Sequence, residues 1–321
     1  MAGAPIPAAP TGLTATAIST TRIDLAWTDN SNNEDGFEIY RSTDGTTYTL
    51  LTTAAADATS YSNTGLTSDT IYYYKVRSRY SGGTTVSSFT TAANATTLPT
   101  PAAFTAEIGN TWVSGAGTST VVTVVGAHSG HAIVMIGFEG DAFGDPGFVS
   151  SVVDSRGNTY VQRFDMNQFL VGRVICFSAP LTVALQDGDT ITVTHTSASQ
   201  RAVLAFSASS IRATPADKTA TNTASGVTSL SSGTTAPTTQ ADEFLVAGFM
   251  VLDSVFGEAL TPGAGWTQRT AVQLSVGLSG TTRTLFTLHK VVSATGTQEA
   301  TGTLASSSSY VGAIVTLKAG N

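Results

Sequence analysis

The chain is 321 residues long, enough for two independent cores, and carries 15 Lys and Arg against 22 Asp and Glu for a net charge of -7. No basic run is present to track a phosphate backbone, so nucleic acid is not expected as a partner. Only 12% of residues are charged, about half the ~25% of an average soluble protein, so surface ion pairs are not what holds the fold. The lone Cys176 rules out an intrachain disulfide, and no run reaches the ~18 apolar residues of a membrane span. The N-terminal MAGAPIPAAPTGL has neither the basic nor the apolar region of a secretory signal, which predicts a soluble product made in the cytoplasm.

Alternation of apolar and polar residues runs from end to end and predicts an all-β protein. After an extension over 1–10, strands are expected at 14–19, 22–28, 36–41, 48–54, 60–63, 71–79 and 86–92. The intervening DNSNNEDG, STDG, NTG and SGG have the Asn, Asp and Gly chemistry of turns. Short strands at this spacing, without a Cys pair, point to an Ig-like sandwich other than the antibody type.

The run PAAPTGLTATAISTTRIDLAWTDNSNNEDGFEIYRSTDG, followed by TSYSNTGLTSDTIYYYKVRS, resembles a fibronectin type III domain over 11–97. The resemblance implies that Trp27 is the buried Trp of the second strand and that Tyr72, six residues after Leu66, forms the tyrosine corner. All three would then be structural markers. No Arg-Gly-Asp is present to suggest integrin adhesion. NATTLPTPAA at 94–103 holds two prolines that disfavour helix and central strand, which places a linker at 98–103.

From 104 to 321 the sequence repeats itself, about 104–213 against 241–319. AIVMIGF at 132–138 matches FLVAGFM at 244–250, DSRGNTYVQR from Asp154 matches PGAGWTQR from Pro262, RVICFSAPL from Arg173 matches RTLFTLHKV from Arg283, and RAVLAFSAS from Arg201 matches YVGAIVTLK from Tyr310. Neither half looks able to cover its own apolar face, so the two are expected to pack as one jelly-roll-like β-sandwich. TATNTASGVTSLSSGTTAPTTQ at 219–240 would join them as an exposed strand and loop or a mobile segment. DSRGNTY, RVICFSAPL, DGDTITVTHTS and GWTQR together resemble jelly-roll modules of tailed-bacteriophage virion proteins.

Chemistry is sparse. His128 and His131, in AHSGH, read as solvated turn residues, and His195 and His289 as surface or edge residues. The acid pairs Asp141 with Asp145 and Asp187 with Asp189, and the group Asp29, Glu34 and Asp35, suit turns; calcium binding, with Asp141 and Asp145 as ligands, and glycoside hydrolysis by paired acids are the weaker alternatives. No three ligands are grouped at metal-binding spacing, so no cofactor is expected, and no nucleophile, base and acid are grouped to predict an enzyme. Cys176, between Ile175 and Phe177, reads as a small core residue.

The resemblances imply a non-enzymatic structural or decoration protein of a bacteriophage virion. It would assemble with identical copies and other virion proteins, with the fibronectin module projecting. The alternative is an adhesin or carbohydrate-binding module, from a tail fibre or a secreted glycanase, that recognises cell-surface glycans. Trp112, Tyr160, Trp266 and Tyr310 are its candidate sugar platforms, although Tyr160 and Trp266 recur at equivalent turns of the repeat, as core residues would.

Overall fold

A computed structural model of the protein describes residues 5–80, 85–139, 148–168, 170–253, 257–274 and 282–320. Every helix or strand among them is a β-strand, so the chain is all-β. Two compact units divide at Thr100 and Pro101.

The first unit holds β1 (Thr11–Ser19), β2 (Arg22–Thr28), β3 (Gly36–Ser42), β4 (Thr49–Ala54), β5 (Ser60–Asn63), β6 (Ile71–Tyr80), β7 (Thr85–Val86) and β8 (Ala93–Thr96). One sheet runs β1-β2-β5 and the other β4-β3-β6-β7, with β8 also paired to β6. Alternation turns Ile23, Leu25 and Trp27 of β2 inward against Phe37, Ile39, Tyr74 and Val76 of the facing sheet. Trp27 is 5% exposed and lies 5.7 Å from the Phe37 ring. Beside buried Leu66, the Tyr72 hydroxyl accepts the Thr67 N–H at 3.1 Å, closing the corner.

The strand expected at 86–92 is replaced by the two short strands β7 and β8. Between them the Ser87 and Thr90 hydroxyls accept the N–H groups of Ser78 and Val76, both at 3.1 Å, while the Ser87 and Thr90 amides donate back to the Ser78 and Val76 carbonyls. Side-chain oxygens thus stand in for two carbonyl acceptors, and the ladder loses its regular pattern there.

The second unit holds β9 (Ala103–Thr123), β10 (His131–Glu139), β11 (Val149–Asp154), β12 (Val161–Gln168), β13 (Gly172–Pro180) and β14 (Thr190–Ser209), then β15 (Ile211–Ser231), β16 (Asp242–Asp253), β17 (Leu260–Pro262), β18 (Thr267–Gln268), β19 (Val272–Leu274), β20 (Thr282–Ser293) and β21 (Thr301–Ala319). The first six form one sheet, β11-β14-β10-β13-β12 with β9 on β14. The other seven form a second, β15-β21-β16-β20-β18 with β17 on β21 and β19 on β20. Connectivity is the same in both: the central strand lies between the repeat's third and fourth matched segments, and the first strand pairs with the last.

The expectation that neither half covers its own apolar face does not hold. The long strands β14 and β21 each serve two layers. Ile191–His195 of β14 pairs with β11, whereas Arg201–Ala208 pairs with β10, and register shifts between Thr194 and Gln200 separate the two parts. Bulges of this kind bend a strand and raise its twist. Similarly, Thr303 and Leu304 of β21 pair with β17 while Ser309–Lys318 pairs with β16. Each half therefore encloses its own core. One is built around Val134, Ile136, Ile175, Val193 and Val203, and the other around Leu245, Phe249, Trp266, Phe286 and Tyr310. Their opposite faces then pack together through Met135, Val174, Leu204, Phe206, Phe244, Met250 and Val315. Of the low-complexity segment 219–240, the part up to Ser231 belongs to β15 and pairs along β21.

Candidate ligand-binding site

A groove of about 440 Å³ opens at the edge of the seam between the two halves. One wall is β9. Register there skips Ile108 between the pairs Gly109–Ala205 and Glu107–Phe206, so Ile108 turns into the core of the first half. Beyond that bulge, Asn110 and Trp112 sit opposite Leu204 and Ala202, whose side chains belong to the core between the halves. Cross-strand partners share a face, so Asn110 and Trp112 face the second half from an edge strand. Trp112 remains 48% exposed.

The other wall and floor come from the second half: Glu258, Gln268, Val272, Gln273 and Phe286. Glu258 is 8% exposed, and its Oε1 accepts the Ser306 N–H at 2.8 Å. The groove thus combines an open indole face with three carboxamides, from Asn110, Gln268 and Gln273, each able to donate and accept. An indole stacks on apolar ring faces, and amides fix the orientation of hydroxyl groups.

The other sequence candidates are engaged in the fold. Tyr160 is half-buried and donates to Asp154 Oδ2 at 3.0 Å; burial first, then the Asp154 charge, raises its pKa. Trp266 is buried, and its Nε1–H donates to the Glu299 carbonyl at 3.0 Å. Tyr310 is 1% exposed; its hydroxyl accepts from Ser231 N at 3.0 Å and Asn222 Nδ2 at 3.1 Å, and its ring meets Phe249 edge-on. Asp141 and Asp145 lie outside the described residues. Asp189 pairs with Arg156 at 2.6 Å, and Asp187 accepts the Gly126 N–H.

The histidines depart from expectation. His128, His131 and His195 are buried rather than solvated. The His128 ring nitrogens bond Ser207 Oγ and the Val125 carbonyl, both at 2.9 Å, and His195 bonds Thr120 and its neighbour's carbonyl. Polar partners of this kind make imidazole burial tolerable. His289 is half-buried and stacks on Phe244 at 5.5 Å between the halves. Cys176 is fully buried, and burial pushes its thiol up to about 12.

Among the described residues, one group of three carboxylates has metal-binding proximity, Asp29, Glu34 and Asp57. It keeps two of the three acids grouped in the sequence. The third, Asp35, pairs instead with Arg79 at 3.0 Å, and Asp57 arrives from another loop. No sequence spacing signals Asp57, nor Gln268 and Gln273 as partners of Asn110, because these neighbours are brought together by sheet packing.

Residues 8–93 match the fibronectin type III domain family. Exoglucanase B of Cellulomonas fimi is 33% identical over 120 residues, which is 37% of this chain and 10% of that enzyme, so the chain matches only about a tenth of that relative's length. Among solved structures, a Fn3-like protein from Clostridium thermocellum is 30% identical, covering 30% of this chain and 97% of that one, with a TM-score of 0.26. The structure described as FN3tt is 26% identical over 30% of this chain and 98% of its own, also with a TM-score of 0.26. The N-terminal unit, at residues 8–93, is a fibronectin type III domain, followed by further β-sandwich sheets.

Proposed function

We propose that the chain is a non-enzymatic glycan-binding protein. Its second unit holds a sugar chain along the Trp112 groove, and the fibronectin domain acts as a spacer. The observation that carries this reading is the large indole left 48% exposed beside the amides of Asn110, Gln268 and Gln273. An exposed indole flanked by amides suits stacking on a sugar ring while the amides fix its hydroxyl groups. The partial match to a protein named an exoglucanase supports a glycanase-accessory setting. Native affinity electrophoresis in gels containing soluble glucans tests it. Wild-type protein should be retarded and Trp112→Ala should not; equal mobility of the two in every glucan gel overturns the reading.

A second reading, a bacteriophage virion component, is favoured by the long strands β9 and β15. Each pairs with a single named neighbour along its sheet, and β9 carries one charged residue, Glu107, in 21 positions. The sparsely charged edge of β9 suits packing against identical copies. The repeated halves would then be jelly-roll-like modules of a shell or fibre. Light scattering decides between monomer and assembly: a monomer at every concentration contradicts this second reading.

A further inference from the structure

The fibronectin domain brings three carboxylates together from two of its loops. Asp29 and Glu34 lie in the loop between β2 and β3, and Asp57 in the turn between β4 and β5, where its backbone has φ 60. One oxygen from each lies within 4.8 Å of the other two. Asp29 Oδ1 accepts the Ser31 N–H at 2.9 Å, and Glu34 Oε1 accepts the Asp57 N–H at 3.1 Å, so backbone groups hold the acids in place.

Glu34 supplies the independent observation. The residue is 8% exposed, and its Oε2 is buried without a hydrogen-bond partner. A carboxylate oxygen withdrawn from water and left unsatisfied is unfavourable unless something else compensates it. A cation held among the three carboxylates would satisfy this oxygen.

The ligand set is all oxygen, which selects a hard ion. Calcium takes six to eight oxygen ligands in flexible geometry, whereas magnesium demands a near-ideal octahedron and keeps most of its waters, so an irregular set of three carboxylates from two loops suits calcium. Glu34 is buried, Asp29 half-buried and Asp57 exposed, which closes one side and leaves the other to water ligands. We propose that Asp29, Glu34 and Asp57 form a calcium site that clamps the β2–β3 and β4–β5 loops of the fibronectin domain.

The test uses the full chain, stripped with a chelator and then titrated calorimetrically with calcium chloride to about 10 mM, above the ~10⁻⁴–10⁻³ M dissociation constants of weak extracellular sites. Saturable binding is expected, with an upward shift of a melting transition that matched sodium chloride does not produce. Glu34→Gln, which keeps the shape and removes the charge, should bind roughly tenfold more weakly or worse. Without calcium, Glu34→Gln should melt no lower than the wild type, because it removes an uncompensated buried charge. Asp57→Asn, at an exposed position, gives a second variant should Glu34→Gln misfold, and should also lose the response. Asp35→Asn should retain it. Absence of calcium binding by the wild type, unaltered binding in both Glu34→Gln and Asp57→Asn, or an equal response to magnesium chloride would each overturn the assignment.

Discussion

Met135 of β10 packs over Gly248 of β16, so that a Cβ on that glycine would overlap the Met135 methyl and come 2.8 Å from Val174 Cγ2. The contact is reciprocated: Met250 lies over Gly137, 3.2 Å from where its Cβ would be. One of these glycines lies in each of the two matched strands, AIVMIGF and FLVAGFM. Each half therefore offers a flat strand position to the other's methionine, and the seam closes.

Gly248→Val should destabilise the second unit by about 1–3 kcal/mol through overpacking, and Met135→Ala by about 2–5 kcal/mol through the cavity it leaves. Urea unfolding followed by circular dichroism checks both. A Gly248→Val midpoint equal to wild type would mean that the halves are not pressed together there.

Arg283 joins the same seam from β20. Its Nη1 pairs with Glu139 at 2.6 Å, with side chains 10% and 15% exposed, and its other nitrogens donate to the Val171 and Leu170 carbonyls. Removing one partner of such a pair leaves a charge stranded, at a cost of about 3 kcal/mol. Arg283→Met should lower stability by that order, and adding Glu139→Gln should restore part of it. A double variant as weak as the sum of the singles would show no coupling.

Glu243 makes stability fall at high pH. It is fully buried on β16, and burial first, then the Asp217 charge, raises its pKa from 4.5 to about 7. Its folded pKa exceeds its unfolded one, so its contribution is fully present below about pH 4.5 and is lost as pH rises through about 7, amounting to on the order of 2–3 kcal/mol. Glu243→Gln should remove that dependence and melt higher than the wild type at pH 8. Parallel melting curves from pH 5 to 8 for the two proteins would contradict this.

His131 and His289 act at the other end. Burial first, then the Arg163 and Arg269 charges, lowers each from 6.5 to about 4. Their contribution is present above about pH 6.5 and is lost as pH falls through about 4. His131→Gln should flatten the decline in melting temperature across that window; an unchanged slope would mean that His131 does not set it.

Much of the fold was legible because alternation is a local property. Ile23, Leu25 and Trp27 announce a half-buried strand, and the spacing from Leu66 to Tyr72 announces the corner that the Thr67 amide closes. The bends in β14 and β21 were not legible, since a register shift at Thr194 to Gln200 is set by partners distant in sequence. That is why the halves looked unable to cover themselves. Burial of His128 and His195 was hidden for the same reason: Ser207 and Thr120, which satisfy them, are 79 and 75 residues away. Of the four aromatic candidates, local pattern did not separate exposed Trp112 from Tyr310, because outward aim depends on the bulge at Ile108.

The most direct test of the glycan reading exploits the three tryptophans. Trp27 and Trp266 are 5% and 8% exposed while Trp112 is 48% exposed, so a change in emission on adding a soluble glucan oligosaccharide reports chiefly on the groove. Titration of the intact chain should give a saturable blue shift, absent in Trp112→Ala and weakened by about 1 kcal/mol in Gln268→Ala through a lost hydrogen bond. A shift that persists in Trp112→Ala, or the lack of one across a panel of glucans, would contradict the account.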